Sequence, residues 1–172
     1  MNMVGSQKGG SFHDPDNEGY PGYVINQVID KGQAAMPIYR PNIVTILVGT
    51  NDMVQNIGDG APERLGTLID NILNWEWLTL VVVSTLPPSG NVDTNARIDT
   101  YNAALPAIVK QRTDAGRSVI LVDSHAVIAV GDLVDGTHPN DAGYERIGHV
   151  FYEGIKLAES KGWLFDVYGA PP

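Results

Sequence analysis

A chain of 172 residues, 43% of them hydrophobic, carries enough apolar side chain for one sizeable core and reads as a single domain over residues 1–172. A net charge of −9 argues against the clustered Lys and Arg that nucleic acid or an anionic membrane requires, and it disfavours strongly acidic substrates. A neutral ligand is the natural expectation, and the lack of cysteine removes disulfides, thiolate catalysis and cysteine-based zinc sites.

Along the chain, Met1–Val4 is a short apolar start with no signal-peptide stretch around it, followed by Gly- and Asp-rich loop up to Gly19. Tyr23–Asp30 sets Val24, Ile25, Val28 and Ile29 at helical spacing. Ile43–Val48 is a continuous, β-branched run after Pro41 and reads as a strand buried on both faces, as in parallel sheets. Pro62 suits a first helical turn, with Leu65, Leu68, Ile69, Ile72 and Leu73 marking one face. Leu78–Ser84 is the next buried strand, closed by Pro87-Pro88. Thr94 or Asn95 caps a helix whose buried positions are Ile98, Tyr101, Leu105, Ile108 and Val109, with a kink expected at Pro106. Ser118–Asp123 is the last strand, and Asp141–Ser160 the last helix, with Ile147, Val150, Phe151 and Ile155 inward. No run approaches the roughly 20 apolar residues that span a bilayer. Strands alternating with helices predict an α/β fold, a three-layer α/β/α sandwich with a mainly parallel sheet. Ligands in such sheets sit beyond the carboxyl ends of the strands.

Polar motifs fall at those ends. Gly49-Thr50-Asn51-Asp52 follows one strand, and Asp135-Gly136-Thr137-His138 precedes the last helix. A carboxylate three residues before an imidazole can orient one ring nitrogen and leave the other as a base. The alternative is that Asp135 caps the loop and His138 is solvated. Asn51 could offer an amide N–H to an oxyanion, the alternative being that Asn51 or Asp52 caps the turn locally. Gly22, within Glu18-Gly19-Tyr20-Pro21-Gly22-Tyr23, allows close backbone approach where a helix opens. His13, His125 and His149 show no metal-ligand spacing. Trp75 and Trp77 invite a sugar-stacking reading, but aromatic residues at a helix end more often close the core. Trp163 and Phe165 are expected to pack the last segment down.

Together these motifs resemble the SGNH (GDSL-type) hydrolases, most closely the acetylxylan-esterase-like carbohydrate esterases, over nearly the whole chain. Val4-Gly5-Ser6-Gln7, Tyr101-Asn102 and Ala142-Gly143-Tyr144 agree. The resemblance implies an SGNH/flavodoxin-like sandwich and hydrolysis of small acyl esters, such as acetyl groups on carbohydrate, with no metal or organic cofactor. It puts His138 as base, Asp135 as its orienter, and Asn51 and Gly22 in the oxyanion hole. Secretion is common among such relatives.

One block departs. Gly-Asp-Ser does not occur: Gly58-Asp59 is followed by Gly60 and Gly131-Asp132 by Leu133. By the resemblance, Met1–Ser6 matches the family's second strand, so its first strand, first helix and serine are expected to be missing from the chain. Ser84, Ser89 and Ser124 at strand ends, and Ser6 and Ser11 in the first loop, lie in no nucleophile elbow. The family's sheet order of 2-1-3-4-5 then leaves Ile43–Val48 as an uncharged edge. Either Met1–Ser6 moves over to pair with it or a second copy covers it, which makes a homodimer the expectation. The rivals are an inactive SGNH-fold carbohydrate-binding protein and direct water activation by His138.

Overall fold

The computed structural model describes residues 2–11, 13–76 and 78–165. In chain order these form β1 (Gln7–Lys8), β2 (Asp16–Asn17), α1 (Ile25–Tyr39), β3 (Ile43–Ile46) and the short α2 (Thr50–Val54). They continue as α3 (Ala61–Trp75), β4 (Leu80–Ser84), α4 (Val92–Asp114), β5 (Val119–Val122) and α5 (Asp141–Ser160). Two single 3-10 turns, His125–Val127 and Val130–Asp132, lie between β5 and α5.

β4 is the centre of the sheet because all five of its side chains can be buried. It pairs in parallel with β3 on one side (Ile43 opposite Leu80) and with β5 on the other (Val81 opposite Val119). Strand alternation then divides the core in two. Val81 and Val83 join Ile25, Leu65, Ile69, Ile98 and Leu105 from α1, α3 and α4. Leu80 and Val82 face the opposite way and meet Ile120, Phe151, Ile155 and Ala158 beneath α5. The result is an α/β sandwich of three layers. Each fully buried valine or leucine contributes about 2 kcal/mol through lost apolar surface. At Gly154 a β-carbon would lie 2.5 Å from Val122 and 3.0 Å from Val82, so glycine is what lets α5 approach the sheet this closely.

The last helix covers the expected residues, and Asn140 caps it by accepting from the Gly143 N–H at 2.9 Å. Several expectations are corrected. Residues 2–6 form no strand. Met3 N–H donates to Asp14 and Ser6 N–H to Glu18, while Gln7–Lys8 pairs antiparallel with Asp16–Asn17. The amino-terminal segment is therefore held by the loop that follows it, not by the sheet. β3 is also not buried on both faces: among the described residues it pairs with β4 alone, and Thr45 is exposed. α1 continues well past Asp30 through Pro37 to a left-handed Arg40, because Met36 anchors its second half in the core and exposed Pro37 faces away from it. α4 starts earlier than expected, since Asn91 rather than Thr94 or Asn95 accepts from a first-turn N–H, that of Thr94 at 2.9 Å. Trp75 is not core but 54% exposed, and Trp77 lies outside the described residues.

Candidate active site

Past the second 3-10 turn the chain doubles back: Leu133 bridges Pro139, and Val134 N–H donates to His138 O at 2.9 Å. The loop closed in this way is Val134–His138. Gly136, at φ +83°, makes the reversal that a β-carbon would strain. Asp135 holds the loop from inside. Its Oδ1 accepts the N–H groups of Thr137 (2.9 Å) and His138 (2.8 Å), and its Oδ2 lies 2.8 Å from His138 Nδ1.

These bonds, first those to the backbone and ring of His138 and then that to Thr137, lower the Asp135 pKa to about 2. An ionised carboxylate only accepts, so Nδ1 carries the shared proton. In the neutral ring Nε2 is then a lone pair. His138 is 65% exposed at its side chain, which leaves that nitrogen open to a reacting group. Tyr144, one turn into α5, has its pKa raised by partial burial and by the Asp135 charge. The loop after β4 braces the turn from behind: Gly90 N–H donates to Gly136 O at 2.8 Å.

Asn51 sits in the first turn of α2 rather than at a strand end. One of its amide hydrogens goes to Tyr23 O at 2.9 Å, which leaves the second N–H and the oxygen for other partners. This bond brings Asn51 to the Gly22 loop. Gly22 itself is exposed at φ +82° in a turn closed by Tyr23 N–H on Tyr20 O (3.2 Å), with open space beside it. Its N–H lies just before α1, whose N-cap is Val24. The structure thus joins Asp135 to His138 and joins Asn51 to the segment of Gly22.

Sequence reasoning did not find what fixes α2. Asp52 is fully buried; its Oδ2 accepts the Ile25 N–H at 3.0 Å and its Oδ1 pairs with Arg64 at 2.9 Å. Tyr101 donates to Val48 O at 3.0 Å, and burial followed by the Asp52 charge raises its pKa, so it stays a donor. The signals were present only as an acidic residue beside Asn51 and a tyrosine on a helix face; their meeting is tertiary.

The serines at strand ends are all engaged. Ser84 donates to Thr85 O at 3.0 Å and lies 2.5 Å from the Ser124 hydroxyl, both being buried. Ser89 is buried as well, accepts from Asn91 N–H at 3.2 Å, and lies 3.4 Å from Gly136 O. Ser6 shares a 2.8 Å hydrogen bond with the Tyr20 hydroxyl, while Ser11 is exposed.

A sequence model of the GDSL-like Lipase/Acylhydrolase family matches residues 6–146, which is most of the chain. The chain belongs to this family. Similar proteins to this GDSL-like chain include a multidomain esterase of Ruminococcus flavefaciens, 32% identical over 84% of the chain. The GDSL-like chain spans only 21% of that esterase. Among solved structures, a family 3 carbohydrate esterase of Clostridium thermocellum superposes with a TM-score of 0.82 at 28% identity, covering 92% of this chain and 79% of that one. A family 3 carbohydrate esterase from Talaromyces cellulolyticus gives 0.81 at 25% identity, with 92% and 83% covered.

Proposed function

We propose that this chain is the ester-hydrolase module of an SGNH protein, acting on acetyl or other small acyl esters of carbohydrate. The observation that carries the reading is the Asp135–His138 hydrogen bond of 2.8 Å, made by a carboxylate that also fixes the histidine backbone. In the reaction, a hydroxyl nucleophile gives its proton to His138 Nε2 as its oxygen attacks the acyl carbon. Asp135 keeps Nδ1 protonated and stabilises the imidazolium. The carbonyl oxygen takes the developing charge, supported by the second Asn51 N–H and the Gly22 N–H. Collapse breaks the bond to the alcohol, which leaves with the proton from His138, and water repeats the sequence to release the acid. The likeness to carbohydrate esterases supports the substrate class. We assign the nucleophile to no residue of these 172, since Gly-Asp-Ser does not occur.

A second reading is favoured by the same fact and by the engaged serines. On that reading Asn51, Asp135 and His138 contact acylated carbohydrate without turning it over. Hydrolysis of 4-nitrophenyl acetate by the chain, His138→Ala and Asn51→Ala separates the two. We expect slow hydrolysis, on the order of 10³-fold over water at best, that falls in both variants. Identical rates for all three and for buffer would leave the binding module. Turnover at ordinary esterase rates, stopped by a serine-directed phosphonate, would instead reveal a nucleophile within the chain.

A further inference from the structure

At the amino end of the sheet, away from the strand ends that lead to the candidate active site, lies a hollow. α3 ends at Trp75 just before the chain enters β4, whereas Asn51 and the Asp135–His138 turn follow strand carboxyl ends. The hollow has a volume of about 260 Å³ and is lined by Gln33 of α1 with Asn71, Asn74 and Trp75 of α3. Three of its four lining side chains are amides and the fourth is an indole. None carries a charge.

The lining combines two features that suit a polar ligand with an apolar face. Among the described residues, none of the three amide side chains is engaged in a hydrogen bond, so each keeps both a carbonyl acceptor and two N–H donors free. Trp75 meanwhile leaves 54% of its surface in water, a large apolar area open to a ligand. Of the charged residues near these four in the chain, Arg40 pairs with Glu76 at 3.3 Å and Arg112 with Asp70 at 2.6 Å, while Asp30, one turn before Gln33, is exposed.

We propose that this hollow is an accessory binding site for a neutral polysaccharide. A pyranose ring presents a C–H face that stacks on an indole and equatorial hydroxyls that both donate and accept. Amides satisfy such pairs of hydroxyls without the desolvation cost of a charged partner. None of the lining side chains offers a counter-ion to a charged ligand, and the chain's net charge of −9 repels acidic polymers. The site would hold the protein on a polymer chain while the Asp135–His138 turn addresses its ester groups. The choice of carbohydrate agrees with the proposed function, but the lining itself selects a neutral polyol, so the two can fail separately.

Native gel electrophoresis through soluble neutral xylan, through polygalacturonate and through plain gel tests the site, using the folded chain, Trp75→Ala, the double variant Asn71→Ala/Asn74→Ala, and His138→Ala. The neutral polymer should retard the chain and His138→Ala alike. Trp75→Ala should bind about tenfold more weakly, the loss expected for a stacked aromatic with its buried area. The double amide variant should also weaken and carries the test should Trp75→Ala not fold. The site is overturned by no retardation of the chain in xylan, by equal retardation of Trp75→Ala, or by retardation lost only in His138→Ala, which would move binding to the Asp135–His138 turn. A change in mass by light scattering confined to Trp75→Ala would also overturn it, by making the hollow an interface between copies.

Discussion

Asp135 does three things with two oxygens: it accepts from two backbone N–H groups and from the His138 ring. Its lowered pKa follows, and the sign fixes a pH window. A depressed carboxyl pKa means that the turn gains stability above the ordinary carboxylate range and loses it as pH falls through about 2. Carboxyl-carbon NMR of Asp135 should show a midpoint near 2, well below an ordinary aspartate. A midpoint at the ordinary value would mean that the turn opens in solution. Asp135→Asn should invert the proton arrangement, because an amide nitrogen facing Nδ1 donates to it and moves the ring proton to Nε2. Nitrogen NMR of the ring would report the switch, and unchanged tautomers would deny Asp135 its orienting role. This pair was legible in the sequence, since an i,i+3 separation in a glycine turn dictates local contact. Asn51 was legible only in part. Its amide reaches a carbonyl contributed by Tyr23, 28 residues earlier, and no local pattern carries that meeting.

At the scale of elements, the strands were legible because continuous apolar runs bounded by proline or glycine leave few other readings. The error lay in burial: Ile43–Ile46 looks as apolar as Leu80–Ser84, yet only the latter is enclosed on both sides, and position in the sheet is not written in either run. α2 was missed because five residues are too few to show helical spacing. What holds it is the buried Asp52, which ties it both to the start of α1 and to Arg64 on α3. Arg64 also donates to Ile57 O at 2.7 Å, so it closes the loop between α2 and α3. Arg64→Ala would leave the fully buried Asp52 carboxyl without its ion-pair partner. The expected loss is about 3 kcal/mol of unfolding free energy in a urea titration, at an unchanged slope. A loss below about 1 kcal/mol would show that the pair behaves as a surface salt bridge.

For the whole molecule, the sheet itself poses the remaining question. A parallel strand is normally flanked on both sides, because its backbone donors and acceptors have no water partners once covered by helices. Among the described residues β3 has β4 on one side and no strand on the other, and none of Ile43–Ile46 is charged or proline. Thr45 and Leu47 stand exposed along this run without the lysines or prolines that usually blunt an edge. Residues 2–6 are bound to the Asp14–Glu18 loop and do not fill the gap. We therefore expect the edge to recruit a strand from a second copy, giving a dimer related by a twofold axis. Light scattering over a dilution series should show mass falling from dimer to monomer. Thr45→Lys, which places a charge on the open edge, should shift the chain to monomer without lowering its thermal stability as a monomer. A chain that stays monomeric at every concentration would show that β3 tolerates an open edge.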